Sequence, residues 1–342
     1  MPAEQSPAPL PEVADWLRRR SWRATDRPIA SLLAAKEAAG PAGTVSVVLP
    51  ALDEESTVGE IVEVIRRELV ERVPLVDELV VVDSGSTDRT AEAAAAAGAR
   101  VVHRDAILPR LPAVPGKGEV LWRSLLVTSG SIVCFVDADL REFDPALVSG
   151  IVGPLLTDPG LQLVKAMYDR PLEVSTGGSA AGEAAVLPTG GGRVTELVAR
   201  PLLNLHWPRL AGFVQPLGGE YAARRSLLER LHFPTGYGVE LGLLVDALEL
   251  VGLDALAQVD TGVRHHRHQD GQALGRMAAT IYRTALERLD RTHRLKAAED
   301  LARPVLTQFS RDAETREFTA HSHEVTALER PPVVELPEYR GR

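Results

Sequence analysis

From residue 44 onward the apolar positions alternate between short unbroken runs and longer stretches at helical spacing. Thr44 to Leu49 reads TVSVVL, β-branched and apolar up to Pro50, which predicts a strand buried on both faces and ended by the proline. Val58, Ile61, Val62, Ile65 and Leu69 then recur with helical period behind Thr57, and Thr57 with Glu60 predicts a capping box. Leu79 to Val82 predicts a second strand stopping at Asp83, followed by a Ser-Gly-Ser-Thr turn and an alanine-rich helix that ends at Gly98. Arg100 to His103 reads as a third strand, Gly118 to Thr128 as a helix and Ser131 to Val136 as a fourth strand running into Asp137-Ala138-Asp139. Asp144-Pro145 supplies the cap and first residue of another helix. This alternation over residues 44–168 predicts an α/β fold with a mostly parallel, doubly wound, Rossmann-like sheet, whose ligands bind at the carboxyl ends of the strands.

The flanks differ. Residues 1–43 read as a lead-in with one amphipathic helix, Pro11 to Trp22. After Tyr168, Gly177-Gly178, Gly182 and Gly190-Gly191-Gly192 punctuate a long loop, expected to order on ligand binding, and helices are expected to dominate from Val194. Residues 169–308 therefore form a second half with C-terminal helices, among them Met277 to Leu289, whose apolar Ile281, Ala285 and Leu289 are expected to pack on their own domain or on a second subunit. Residues 309–342, with Pro331, Pro332 and Pro337, read as a partly disordered tail.

The chain has 342 residues, 45% of them apolar, enough for a sizeable core. Its richest apolar segment, Leu241 to Leu256, carries Asp246, Glu249 and Asp254, so no membrane span is expected, and the proline-rich start lacks a signal-peptide core; a cytoplasmic address follows. The single cysteine, Cys134, sits inside an apolar run and is expected in the core. A net charge of −9 repels nucleic acid, so any anionic ligand must be captured by a local basic site.

Such sites can be named. Pro50-Ala51-Leu52-Asp53-Glu54-Glu55 and Asp83-Ser84-Gly85-Ser86-Thr87-Asp88 follow the first two strands, with acceptors suited to a base and ribose, although acidic turn residues also serve as helix caps. Neither is a dinucleotide fingerprint or a P-loop, which removes the usual warrant for hydride transfer or nucleotide hydrolysis. Asp137-Ala138-Asp139 ends a buried strand, where a carboxylate can ligate Mg²⁺ or Mn²⁺ while its neighbour takes a hydroxyl. Arg264-His265-His266-Arg267-His268 concentrates cations in an acidic chain, as a metal ligand flanked by phosphate-binding forks would. Lys117, between Gly116 and Gly118, and Gly190-Gly191-Gly192-Arg193-Val194-Thr195 each join glycine to a cation at a helix start, which suits a phosphate. Tyr237 and Glu240 can meet a sugar, though Glu240 also reads as a first-turn helix acid.

In the order V-V-L-P-A-L-D-E-E, V-V-D-S-G-S-T-D, P-G-K-G-E and V-D-A-D, the chain resembles GT-A glycosyltransferases of the family 2 type. With R-H-H-R-H, G-G-G-R-V-T-E-L and P-L-G-G-E-Y added, it resembles over residues 15–300 the actinobacterial glucosyl-3-phosphoglycerate synthases of family 81. The resemblance implies a GT-A fold with a helical acceptor region and a retaining, homodimeric hexosyltransferase that moves glucose from UDP-glucose to the 2-hydroxyl of 3-phosphoglycerate. It implies that Pro50, Ala51, Leu52, Glu54 and Ser84 hold uridine, that Lys117 lies on the donor side and that Asp137 meets the ribose or sugar. Asp139 and His266 would ligate Mg²⁺ or Mn²⁺, the motif register selecting His266 among the three histidines. Gly192, Arg193, Thr195 and Arg264 would meet the acceptor's phosphate and carboxylate, with Tyr237 and Glu240 near the transferred sugar. Such chemistry agrees with the residues, since a leaving diphosphate needs a Lewis acid and an anionic acceptor needs arginines. Retention proceeds through a carboxylate nucleophile, for which Glu240 is the candidate, or by same-face attack; the sequence leaves both open. Three alternatives remain: a mannosyl-3-phosphoglycerate synthase using GDP-mannose, a polyprenyl-phosphate sugar transferase, and a binding-only regulator.

Overall fold

The computed structural model describes residues 9–170, 192–264, 271–292 and 327–339, and the backbone alone of strands Leu172–Ser175, Ala184–Leu187, Val305–Arg311 and Phe318–Glu324. The chain builds β1 (Ser21–Arg23), β2 (Val45–Ala51), β3 (Glu78–Asp83), β4 (Arg100–His103), β5 (Ile132–Phe135) and β6 (Leu163–Asp169) into one eight-stranded sheet with strands Tyr221–Arg224 and Leu256–Val263. Its order is β1, Leu256–Val263, β6, Tyr221–Arg224, β5, β2, β3, β4. Tyr221–Arg224 runs antiparallel between β5 and β6, and every other pairing is parallel. The α/β reading holds, and the carboxyl ends of β2, β3, β5 and β6 lie along one edge.

Alternate residues of β2 enter opposite cores, Val47 and Leu49 on one face and Val48 on the other, as a doubly covered parallel strand requires. Helices α1 (Pro11–Arg19), α2 (Ile29–Ala39), α3 (Val58–Ile65), α4 (Thr90–Ala96), α5 (Lys117–Ser124) and α6 (Ala146–Thr157) supply the cover together with Val239–Val251 and Gly271–Arg291. Cys134 is fully buried on β5, and burial pushes its thiol well above the usual range, which fits a packing role.

Several local expectations change. The first helix stops at Arg19, and Ser21–Arg23 joins the sheet edge beside Leu256–Val263, so the lead-in is part of the fold; Trp16 anchors it by donating Nε1–H to the Leu256 carbonyl at 2.8 Å. Thr57 makes no side-chain cap and donates instead to the Ala138 carbonyl at 2.7 Å, across to the D-x-D loop. Pro50 lies inside β2 rather than after it. Val136 donates to Val48 and Ser84 to Ala51, so the ladder's alternation turns Pro50 toward β5, beyond the last rung there, where a missing N–H costs nothing. Two sheet strands occur beyond Val194, where helices were expected; Tyr221–Arg224 is too short and alanine-rich to announce itself, and Gly262 interrupts the apolar pattern of Leu256–Val263. The predicted helix over 277–289 runs from Gly271 to Arg291, and Ile281, Ala285 and Leu289 pack into the chain's own core beside Val239–Val251.

The proline-bearing tail is anchored where it is described. Glu329–Arg330 pairs with Phe233–Pro234, Pro331 accepts the Trp122 indole N–H at 2.8 Å, and Val333 is fully buried. Arg330 forks onto Glu119 at 2.7 and 2.9 Å, and Arg123 reaches the same carboxylate at 2.7 Å; both Glu119 and Arg123 are fully buried. Sequence patterning cannot register such a contact because its donors lie far apart in the chain. Arg330→Met is expected to cost about 3 kcal/mol, since it strips half the partners from a buried carboxylate. A urea-midpoint shift worth under about 1 kcal/mol would show that Arg123 alone suffices.

Candidate active site

Two loops at the carboxyl ends of β2 and β3 are laced together. Asp53 adopts a positive φ of 55° and accepts the Thr87 N–H at 2.7 Å, while the N–H groups of Asp53, Glu54 and Glu55 donate to Ser86, Thr90 and Asp88. Asp83 is buried, accepts from the Gly85 and Ser86 N–H groups and lies 3.1 Å from His103. Asp53, Asp83 and Asp88 thus organise loop backbone, though not as helix caps, since neither α3 nor α4 has a side-chain cap. Pro50, Ala51 and the exposed Leu52 remain with Ser84 as a ledge whose contacts are free of that lacing apart from the Ser84 N–H to Ala51 bond.

Beside the ledge, the D-x-D carboxylates leave the end of β5 into a cluster of charges. Lys117 pairs with Asp137 and lies 3.1 Å from Glu240. Arg264, at the end of Leu256–Val263, pairs with the fully buried Glu220 and stands 3.6 Å from Asp137 and 3.9 Å from Asp139. Tyr168 donates to Glu220 at 3.1 Å and lies under the Arg264 guanidinium, 5.2 Å from ring centroid to Cζ. Glycines permit this approach. A Cβ on Gly219 would lie 2.2 Å from Lys117 Nζ and 2.4 Å from an Asp137 oxygen; on Gly118 it would lie 1.8 Å from the Pro234 carbonyl. The sequence places Lys117 between glycines because strand Phe233–Pro234 must pass that close, and the same strand leads to Tyr237 and Glu240.

Burial opposes ionisation of Asp137, but Lys117 and Arg264 beside it hold its carboxyl well below the usual carboxylate range. Burial and the neighbouring Asp137 push Asp139 up. The two acids are therefore inequivalent: Asp137 is paired with Lys117 and flanked by Arg264, whereas among the described residues Asp139, with its side chain 38% exposed, has Arg264 at 3.9 Å and the more remote charge of Lys117. That oxygen donor fits a hard divalent cation. Among the described residues no three metal-ligand side chains converge, and His266, with His265 and His268, lies outside the described residues.

Arg264 also fits an anion. Its backbone N–H is spent on Asp169, but among the described residues its Nε and Nη2 have no hydrogen-bond partner. A cavity of about 100 Å³ opens beside it, lined by Leu140, Arg141, Phe143, Thr261 and Val263. Gly192, at φ 73°, approaches Arg170, which lies 5.6 Å over the other neighbour of Arg264, the Tyr168 ring, so the Gly192 loop belongs to the same end of the sheet. Arg193 and the buried Thr195 continue from it into the helical stretch ending at His206, while Gly190 and Gly191 lie outside the described residues. Tyr237 is half exposed; Glu240 is a first-turn acid of Val239–Val251, as one of its two readings has it, and also a partner of Lys117.

Four site residues escaped the sequence reading: Lys165, Tyr168, Gly219 and Glu220. The signals were present, a lysine inside the apolar strand LVKAMY and an acid within P-L-G-G-E-Y, but only the antiparallel insertion of Tyr221–Arg224 brings them to the D-x-D.

Known proteins resemble this chain over most of its length. The glycosyl transferase family 2 model matches residues 46–171. Glucosyl-3-phosphoglycerate synthase of Mycolicibacterium paratuberculosis is 50% identical over 319 residues, 93% of this chain and 91% of the relative. The structure of mannosyl-3-phosphoglycerate synthase from Rubrobacter xylanophilus overlays with a TM-score of 0.84 at 39% identity, covering 96% of this chain and 99% of that one. Glucosyl-3-phosphoglycerate synthase of Mycobacterium tuberculosis, solved with Mn²⁺, UDP-glucose and phosphoglyceric acid, overlays with a TM-score of 0.74 at 45% identity, covering 92% and 97% of the two chains; it is also known with Mg²⁺ and UDP.

The close approach at Gly219 is testable. Gly219→Ala is expected to retain the fold and to part Lys117 from Asp137, so that an amine-reactive reagent acylates Lys117 faster, as read by peptide mass spectrometry. Equal labelling of the two proteins would mean that the ion pair accommodates a methyl group.

Proposed function

Because the chain belongs to the glucosyl-3-phosphoglycerate synthase family, we propose that it transfers glucose from UDP-glucose to the 2-hydroxyl of 3-phosphoglycerate, using Mg²⁺ or Mn²⁺ and releasing UDP. The observation that carries this reading is Arg264, a nearly buried guanidinium beside the two D-x-D carboxylates whose Nε and Nη2 have no hydrogen-bond partner among the described residues. It sets an anion receptor next to a cation ligand, which an acidic acceptor meeting a nucleotide diphosphate requires.

In this reading the ledge of Pro50, Ala51, Leu52, Glu54 and Ser84 holds uridine, and Asp137, fixed by Lys117, meets the ribose or sugar. Asp139 with His266 holds the metal, which supplies Lewis-acid stabilisation to the leaving diphosphate. Gly192, Arg193, Thr195 and Arg264 receive the acceptor's phosphate and carboxylate, and Tyr237 and Glu240 border the transferred sugar. We read the reaction as retaining. Glu240 is nearly buried and occupied by Lys117 at 3.1 Å, which weakens it as a nucleophile and supports same-face attack, with Glu240 orienting Lys117.

GDP-mannose as donor is a second reading, favoured by the likeness to the Rubrobacter mannosyl enzyme and weakened by the higher identity to glucosyl relatives. No helix of the described residues is long and apolar enough to cross a membrane, which removes support from a polyprenyl-phosphate acceptor. Phosphorylated metabolites as substrates support the cytoplasmic address. A homodimer is supported by Leu197 and Leu205, 74% and 76% exposed on the helical stretch before Trp207.

Purified protein with Mg²⁺ and 3-phosphoglycerate is expected to release UDP from UDP-glucose and no GDP from GDP-mannose, and Asp139→Ala to slow release by roughly a hundredfold. Release independent of the acceptor would overturn the assignment, and GDP release would transfer it to the mannosyl reading. Light scattering is expected to give about twice 36.9 kDa, falling to one chain's mass in Leu205→Glu. A wild-type monomer would remove the dimer.

A further inference from the structure

Lys165 is a cation that none of the assigned roles uses. It stands in the middle of β6, its Cα paired with Gln258 on one side and Tyr221 on the other, and only 3% of it is exposed. Among the described residues Lys117 and Arg264 each form ion pairs in this cluster; Lys165 instead donates Nζ–H to the Gly218 carbonyl at 2.7 Å and lies 4.9 Å from the Tyr221 ring centroid. Burial removes that ammonium from water, a cost offset by the Gly218 carbonyl and by the charges of Glu240, Glu220 and Asp137.

The bond is one of a small set that fix the turn before Tyr221–Arg224, with the Ala166 N–H to Glu220 carbonyl bond at 3.0 Å just beyond it. Gly218 N–H closes the turn on the Gln215 carbonyl at 3.0 Å, and Gln215 donates its side-chain amide to Tyr168 O at 2.9 Å. Two successive glycines follow no side-chain constraint, so their backbone position depends on its hydrogen bonds. That position is critical, because the Gly219 Cα lies so near Lys117 and Asp137 that no Cβ fits, and the next residue, Glu220, holds Arg264. One carbonyl thus connects the sheet to both the Lys117–Asp137 pair and the Arg264 receptor.

We propose that Lys165 is a positioning residue for the transfer reaction, holding the Gly218–Gly219 turn against Lys117 and Asp137 so that the donor-side pair and the acceptor-side arginine keep their mutual placement. The proposal rests on the function assigned above. The uridine ledge at Pro50 to Leu52 lies on other loops, and of the residues assigned to the nucleotide sugar Asp137 alone abuts this turn, so positioning by Lys165 bears on turnover more than on nucleotide binding. Burial pushes the Lys165 amine down to about 8. Glu240, Glu220 and Asp137 support its charge, Lys117 opposes it, and the Tyr221 hydroxyl, pushed up by burial, stays protonated. The ammonium is therefore present below pH 8 and is lost above it, and a neutral amine is the weaker donor.

Steady-state kinetics of Lys165→Met, an unbranched neutral replacement, test this. The variant is expected to lower kcat at least about thirtyfold while UDP affinity in Mg²⁺ stays within about threefold, and Lys165→Arg to recover part of the loss. Wild-type kcat is expected to be level below pH 8 and to fall above it, with UDP affinity unchanged, and this alkaline limb to be missing from Lys165→Met. The wild-type profile stands as a test even if the variant does not fold. Wild-type kcat in Lys165→Met, or a wild-type profile level to about pH 9.5, overturns the proposal. Wild-type protein inactive toward 3-phosphoglycerate with both donors would overturn the assigned function instead, a distinguishable result.

Discussion

The ion pair between Lys117 and Asp137, backed by Arg264 on Glu220, is the interaction on which the rest of the structure depends. Carboxylates removed from water are tolerable only when cations replace the lost hydration. Here Asp137, Glu220 and Glu240 each have one at hand, supplied by the start of α5 and by the end of Leu256–Val263. The demand for close approach explains the glycines around it: Gly118 lets Phe233–Pro234 pass, and Gly219 lets the turn reach the pair itself.

The pairing is uneven, and the unevenness is what makes the cluster a site. Asp137 is held strongly ionised by two cations, whereas Asp139 is left with little beyond a guanidinium at 3.9 Å. Arg264 spends Nη1 on Glu220 and Tyr168, and among the described residues its Nε and Nη2 have no hydrogen-bond partner, Nη2 standing 3.6 Å from Asp137. A complete internal balance would have produced a structural salt bridge of no chemical use; an oxygen donor and a nitrogen donor side by side suit a cation and an anion, as the proposed function requires.

Stability and geometry are joined through α5. Its first residue is Lys117, and two residues later Glu119 is gripped by Arg123 and Arg330, while Trp122 binds the Pro331 carbonyl. The C-terminal segment also pairs with Phe233–Pro234, which leads to Glu240. Both partners of the 3.1 Å contact between Lys117 and Glu240 are thus seated on one buried support formed by the last described residues of the chain.

Much of this was legible in the sequence because it is local. Strand runs ending in Pro50, Asp83 and Asp137 gave the parallel units, and a strand's alternation is enough to bring a D-x-D to its carboxyl end. The charged residues that converge at these strand ends, Lys117, Asp137, Asp139 and Arg264, stood out as motifs. What the tertiary structure alone decided is partnership: that four residues from Tyr221 enter the sheet backwards between β5 and β6, that Glu220 therefore meets Arg264, that Lys165 points its ammonium at Gly218, and that Arg330 returns to Glu119. Helical and strand periods specify which face of an element is apolar, a property of near neighbours. Which distant charge satisfies a buried one is settled only when the whole sheet has assembled and the cost of leaving it unpaired must be met.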